Sequence, residues 1–234
     1  MKQSSINASL GAVLAALLPA LSASAASFAF EFNNDGVLPS AQGAPYVGTV
    51  AESSAYSVSG GLLHQNTTQF GGGARASYEL GAIFDPAFDF SLTWSTRILT
   101  SQFPIGTSVG FAGGGRQYEF GLINGGLTTF TGGSYQTVVP MDTTDALHTY
   151  RLLGTAASPS YQLFVDDVLR YTGTARSTAA SFFQFGDATT TGGNGTADWD
   201  FVRFVNVPEP SAAFLGALGI GAVVILKAFK RRHA

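Results

Sequence analysis

The middle of the chain offers few side chains that could carry a reaction, and their spacing narrows the chemistry. Asp198 and Asp200 are its only carboxylates at positions i and i+2, a spacing that puts both on one face of a strand. Two carboxyl groups side by side could act as acid and base on a glycosidic bond, though such pairs also face solvent or ligate Ca2+. Glu31 and Asp35 would join them in a calcium site if the first and last strands pair, because Ca2+ accepts carboxylate and backbone oxygens in flexible geometry. His64 and His148 are the histidines of this region and no Gly-x-Ser-x-Gly occurs, so a triad on a nucleophile elbow is not indicated. His148, opening a strand, reads as a structural surface residue. Cysteine is absent, which removes disulfides, thiol nucleophiles and cysteine-ligated zinc. These residues assign no catalytic side chain and no cofactor; calcium is the one ion they would suit.

Binding demands less than catalysis. Aromatics near amides and guanidinium groups are the usual platforms for sugars, and Tyr46, Phe70, Tyr118 and Tyr135, near Gln69, Arg75, Arg116, Gln117 and Gln136, are the candidates. They stand among nineteen Phe and eight Tyr, most of which a core must absorb. The formal charge of −3 conceals basic ends and an acidic middle, where residues 27–206 hold seven Arg, no Lys and fourteen Asp plus Glu, a net −7. Phosphate neutralisation needs clustered Lys and Arg, so nucleic acid is excluded as a partner, while cations and neutral sugars fit.

The elements that must position these residues read as strands. In residues 88–99, Phe88, Phe90, Leu92, Trp94 and Ile98 share one face and Asp89, Ser91, Thr93, Ser95 and Arg97 the other, the period of two expected of a half-buried strand. Further strands are expected at 28–32, 56–64, 77–80, 108–112, 118–123, 127–130, 148–153, 161–165, 168–172, 182–185 and 199–205. Glycine pairs and triplets at 60–61, 71–73, 113–115, 125–126, 132–133 and 192–193 separate them with turn positions. Asp166-Asp167 is expected to make a tight hairpin turn. Many short strands without helical crossovers imply an all-β fold, an antiparallel two-sheet jelly-roll sandwich.

The two ends read as addresses. Lys2 precedes an apolar run from Ala8 to Leu21, and Ala23-Ser24-Ala25 supplies small residues for cleavage, so residues 1–26 are expected to be a signal peptide and its helix. Residues 212–226 are uncharged, with Lys227, Lys230, Arg231 and Arg232 following. Fifteen helical residues span about 22 Å against a hydrocarbon core of roughly 30 Å, and Lys227 can snorkel to extend the span. A single transmembrane helix over 212–229 with a basic end at 230–234 follows. The basic cluster keeps the C-terminus cytoplasmic and the ectodomain, residues 27–206, on the far side of the inner membrane. Gly216, Gly219 and Gly221 could support a close helix contact. Between ectodomain and span, Val207-Pro208-Glu209-Pro210-Ser211 is held extended by its prolines.

Pro208-Glu209-Pro210, a short apolar helix and a basic end at Arg231-Arg232, in that order, resemble the PEP-CTERM sorting domain over residues 207–234. The resemblance implies recognition of Pro208, Glu209 and Pro210 by an exosortase, an integral-membrane cysteine enzyme of Gram-negative bacteria that make extracellular polysaccharide. The mature ectodomain would then reside at the cell surface or outside the cell. A bacterial context also makes the N-glycosylation patterns at Asn66-Thr67-Thr68 and Asn194-Gly195-Thr196 irrelevant. A second resemblance runs through residues 56–63, 148–152, 161–168 and 197–204 (Tyr56-Ser57-Val58-Ser59-Gly60-Gly61-Leu62-Leu63 to Ala197-Asp198-Trp199-Asp200-Phe201-Val202-Arg203-Phe204), whose order is similar to that of the concanavalin A-like lectin and glucanase superfamily, especially its laminin-G-like members. The glucanase branch carries Glu-x-Asp-x-x-Glu on a strand, and this chain has no Glu-x-Asp. The sequence therefore points to a noncatalytic surface or matrix protein that binds exopolysaccharide or supports adhesion and biofilm. The other two readings are a structural matrix component without a ligand and a divergent glycosidase using Asp198 and Asp200.

Overall fold

The computed structural model describes residues 26–207 apart from 103–104, 157 and 190–192. The expected signal peptide, the motif Pro208-Glu209-Pro210, the helix 212–229 and the basic end with Arg231 and Arg232 lie outside the described residues. Among the described residues no helix is long and apolar enough to cross a membrane.

Among the described residues the strands in chain order are β1 (Ala26–Glu31), β2 (Tyr46–Gly48), β3 (Tyr56–Ser59), β4 (Leu62–Asn66), β5 (Ala76–Leu80), β6 (Asp89–Ser101), β7 (Ser108–Gly113), β8 (Arg116–Ile123), β9 (Gly126–Thr131), β10 (Ser134–Pro140), β11 (His148–Gly154), β12 (Ser160–Val165), β13 (Val168–Thr174), β14 (Arg176–Ser177), β15 (Phe182–Asp187) and β16 (Gly195–Val207). They form two antiparallel sheets. Sheet A runs β13-β12-β11-β6-β16-β4-β3, and sheet B runs β10-β9-β8-β7-β15-β5-β2. The long β16 carries β6 along one edge, while β4 and β1 share its other edge end to end, β4 against residues 196–199 and β1 against 201–206. The first strand thus pairs with the last, Ala26 opposite Asn206.

Alternation builds the core. Phe90, Leu92, Trp94 and Ile98 of β6 are buried as their period required, together with Val109 and Phe111, Tyr118, Phe120 and Leu122, Phe183 and Phe185, and Val202 and Phe204. Rings dominate the seam between the sheets: Phe111 lies 5.2 Å from Phe204 and 4.7 Å from Tyr118, and Trp94 stacks on Tyr150 at 5.2 Å. Each such ring removes a large apolar area from water, which is how a chain without disulfides holds this fold.

The expected single strand over 56–64 is two. Gly60 and Gly61 both have positive φ and turn the chain back, so that β3 pairs with β4. Asp166 and Asp167 make the expected hairpin turn with φ of 49° and 62°, a left-handed pair that side chains other than Gly rarely occupy. Their carboxylates compensate locally. Asp166 accepts from the Thr149 amide and lies 2.7 Å from His148, and Asp167 pairs with Arg151.

Candidate functional site

Strand β8 carries the group around which a site is built. Tyr118 and Phe120 point into the core, so Gln117 and Glu119, at the alternate positions, face outward from sheet B. Strand β9 pairs with β8 only as far as Phe120 opposite Thr129, and the two-residue β14 takes over at Gln117 opposite Arg176. The gap between β9 and β14 leaves a small cavity lined by Gln117, Glu119, Thr129, Phe130, Tyr161 and Arg176 among others.

Four side chains converge on it. The Gln117 amide and the Tyr135 hydroxyl both donate to Glu119 Oε2, at 3.1 and 3.0 Å. The Arg176 guanidinium donates to Gln117 Oε1 at 2.6 Å and lies 3.6 Å from Glu119. The same guanidinium sits over the Phe130 ring at 4.7 Å, and Phe130 packs edge-on against Tyr135 at 5.3 Å, its cross-strand partner in β10. Burial, and then the Glu119 carboxylate, push the Tyr135 phenol well above its ordinary range, so Tyr135 stays a hydrogen-bond donor at any physiological pH.

Glu119 also stands in a row across the sheet. Cross-strand register sets Glu119 opposite Gly110, Gly110 opposite Gln184, and Gln184 opposite Glu79. Glu79 is paired with Arg75. Three strand spacings separate the two glutamates, about 14 Å, well beyond the ~5–9.5 Å that glycoside hydrolysis requires between its carboxyl groups. This face can hold hydroxyl groups and stack on rings; the row offers no acid–base pair.

Of the expected sugar-contacting residues, Gln117 and Tyr135 meet at Glu119, and Tyr118 lines the cavity from the core side. Tyr118 is a core residue, 1% exposed, a correction that follows from strand parity: its neighbours Gln117 and Glu119 took the outer face. Arg116 reaches away to the carbonyls of Ala156 and Ser158. Tyr46 donates to the Val50 carbonyl, Phe70 packs against the core, Gln69 donates to the Ser54 carbonyl, and Gln136 donates to Ser134 Oγ. Glu119, Phe130 and Arg176 were not singled out from the sequence. The signal for Glu119 was there, an i and i+2 pair with Gln117 flanked by aromatics, whereas nothing local marks Arg176, which a crossing between sheets delivers.

The expected calcium residues are dispersed. Glu31 takes both arms of Arg203, at 2.5 and 2.9 Å. Asp35 accepts from the Gly61 amide. Asp198 lies between His64 Nδ1 at 2.7 Å and Arg97 at 2.6 Å. Asp200 sits where the β16–β6 register shifts between Trp199 and Phe201, and this bulge breaks the regular spacing that was to align it with Asp198. Among the described residues no group of three or more His, Cys, Asp and Glu could hold a metal. His148 is indeed a structural tie, its two ring nitrogens on Asp166 and Asp145. Its partial burial favours the neutral ring, but these two carboxylates together raise its pKa above the ordinary histidine value.

No protein-family model matches the sequence, and no curated protein is significantly similar to it. Solved structures do resemble it. A protein of unknown function from Shewanella oneidensis is 16% identical, with 83% of this chain and 93% of that one covered at a TM-score of 0.51. The carbohydrate recognition domain of Emp47p is 13% identical over 77% of this chain and 95% of that one, TM-score 0.49. An endo-1,3-β-glucanase from Streptomyces sioyaensis is 13% identical over 79% and 98%, TM-score 0.46. At such identities the likeness is one of fold alone, an antiparallel two-sheet sandwich.

Proposed function

We propose that this is an exported, noncatalytic protein of the cell surface or extracellular matrix that binds polysaccharide, in support of adhesion or biofilm. The observation that carries this reading is the convergence of Glu119, Gln117, Arg176 and Tyr135 beside Phe130 on the outer face of sheet B. A carboxylate, an amide, a guanidinium and rings in one cleft are what sugar hydroxyls and their apolar faces require. The tail sequence supplies the address. With its Pro208-Glu209-Pro210 stalk, apolar helix and Arg231-Arg232 end, the precursor would rest in the inner membrane until an exosortase releases or transfers the ectodomain.

Two experiments test the two halves. In the native host, the mature wild-type protein should have lost its tail by mass, and Glu209→Ala should accumulate uncleaved; an intact wild-type tail defeats the sorting half. In sedimentation with the host's own exopolysaccharide, wild type should co-sediment and Arg176→Ala should lose about tenfold in affinity, roughly 1.4 kcal/mol. Equal retention of both proteins defeats the assignment of the site.

A further inference from the structure

Both ring nitrogens of His148 end on carboxylates. Nδ1 lies 2.7 Å from Asp166 Oδ2, and Nε2 lies 2.9 Å from Asp145 Oδ1. An ionised carboxylate can only accept, so the ring must donate from both nitrogens, and an imidazole carries two N–H groups only when it is protonated. A neutral ring would turn a lone pair toward one of the two anions. The His148 side chain is 14% exposed, against 59% for Asp145 and 53% for Asp166. The other charged groups at this corner are Asp142 before β11 and Arg170 on β13, which act at longer range, and Arg151 with Asp167, which hold each other. Strand β6 sets the uncharged Thr96 opposite His148, with Arg97 beside it already on Asp198, and the Tyr150 ring stands 6.3 Å away.

The two carboxylates are held unequally. Asp166 is fixed to β11 twice without the ring: its amide donates to the Thr149 carbonyl at 2.8 Å, and its Oδ1 accepts from the Thr149 amide at 2.9 Å. Asp145 has no such support. Thr143 is buried and pinned, its carbonyl accepting from the Ile98 amide at 2.9 Å and its hydroxyl donating to the Ile123 carbonyl at 2.6 Å, and β11 begins only at His148. Between these two anchors Thr144 bonds to Asp142 alone. Among the described residues the bond from His148 to Asp145 is then the one hydrogen bond that ties residues 144–147 to a strand.

We propose that His148 is a proton-operated latch, whose imidazolium fastens residues 144–147 to β11 through Asp145 and whose neutral ring keeps Asp166 and lets that segment go. Burial pulls the pKa of the ring down, but the hydrogen bonds to Asp166 and Asp145 outweigh it, so the folded value stands above the ordinary one. The latch is therefore fully closed below the ordinary histidine value of about 6.5, and it opens as pH rises through the raised folded value. Asp145 rather than Asp166 is the partner released, because the two Thr149 bonds hold Asp166 in place.

Spin labelling of the full-length chain tests it. The chain has no cysteine, so Ala146→Cys at an exposed position of the segment gives a single nitroxide site. Spectra taken from pH 5.5 to pH 9 should show an immobilised component that yields to a mobile one, with a midpoint above pH ~6.5. A label at Thr172→Cys, exposed on β13, should not respond over the same range. In the Ala146→Cys background, His148→Phe should leave the label mobile at every pH. Asp145→Ala, which removes a mostly exposed side chain and so spares the fold, should do the same and decides the matter if His148→Phe does not fold. A spectrum at position 146 that stays constant with pH, or a pH step that survives Asp145→Ala, overturns the proposal.

Discussion

Two aspartates, one in each sheet, are almost wholly withdrawn from water and are held in opposite ways. Asp198 of sheet A, 3% exposed, has charged partners on both sides, His64 and Arg97 from the two flanking strands. Asp187, at the end of β15 in sheet B and 0% exposed, has only neutral donors: the Thr67 hydroxyl at 2.6 Å, and the Thr189 amide and hydroxyl at 3.1 and 2.7 Å. Burial pushes the Asp187 carboxyl up to about 6 against the lowering pull of these hydrogen bonds. The contrast teaches that neutral hydrogen bonds orient a buried carboxylate without repaying the loss of its hydration, whereas cross-strand charges can. It also separates roles. The Asp198 row ties three strands of sheet A together, β4, β16 and β6, and Asp187 closes one end of the sandwich by joining the chain after β4 to the chain before β16.

The largest expected effect that would break this comparison lies in the pH dependence of Asp187. Its folded pKa exceeds the unfolded value, so the native state binds more protons between pH ~4 and ~6. Its contribution to stability is full below that window and is lost as pH rises through it. Two units correspond to about 3 kcal/mol. Asp187→Asn cannot ionise, and its amide can donate to Thr67 Oγ1, which already lies 3.1 Å from the Gly195 carbonyl. Urea denaturation from pH 4 to pH 7.5 should show wild type losing stability relative to Asp187→Asn by about 2–3 kcal/mol; parallel curves would mean that the hydrogen bonds from Thr67 and Thr189 offset the burial of the carboxylate.

Removing the charged partner's anchor comes next. Asp198→Ala leaves Arg97 and His64 facing each other without their carboxylate, and should cost about 2 kcal/mol in a denaturation midpoint at pH 7, the range for hydrogen bonds to charged groups. A loss below half of that would place Asp198 with ordinary exposed ion pairs. The smallest effect concerns the β12–β13 turn, where Asp167 is exposed and left-handed. Asp167→Gly relieves the backbone at the cost of one exposed ion pair, and should stabilise by about 0.5–1 kcal/mol in the same assay.

Strand existence was legible wherever one face met the core. The alternation in 88–99 survives through most of β6, which packs Phe90, Leu92, Trp94 and Ile98 into the core. Three strands were not legible. β2 and β14 are three and two residues long, and β10 is an edge strand whose burial does not alternate cleanly, so none carries a period to read. The single strand expected over 56–64 broke at Gly60-Gly61, where the buried parity switches from Tyr56 and Val58 to Leu63 and Gln65. Tyr118 failed as a surface platform for a related reason: an aromatic between polar neighbours announces parity, and parity alone does not say which face is wet.

By itself the amino-acid sequence determined the all-β class, the two-sheet sandwich, the acidic and cysteine-free character of the domain and the tight turn at Asp166-Asp167, because periodicity, composition and turn chemistry are local properties. Tertiary structure alone decided which polar groups meet. Arg176 reaches Glu119 only because the chain crosses from sheet A to sheet B after β13, and Glu79, Gln184, Gly110 and Glu119 share a row only through the register of four strands drawn from distant parts of the chain. Register is fixed by long-range packing of the opposite face, and no window of sequence contains it.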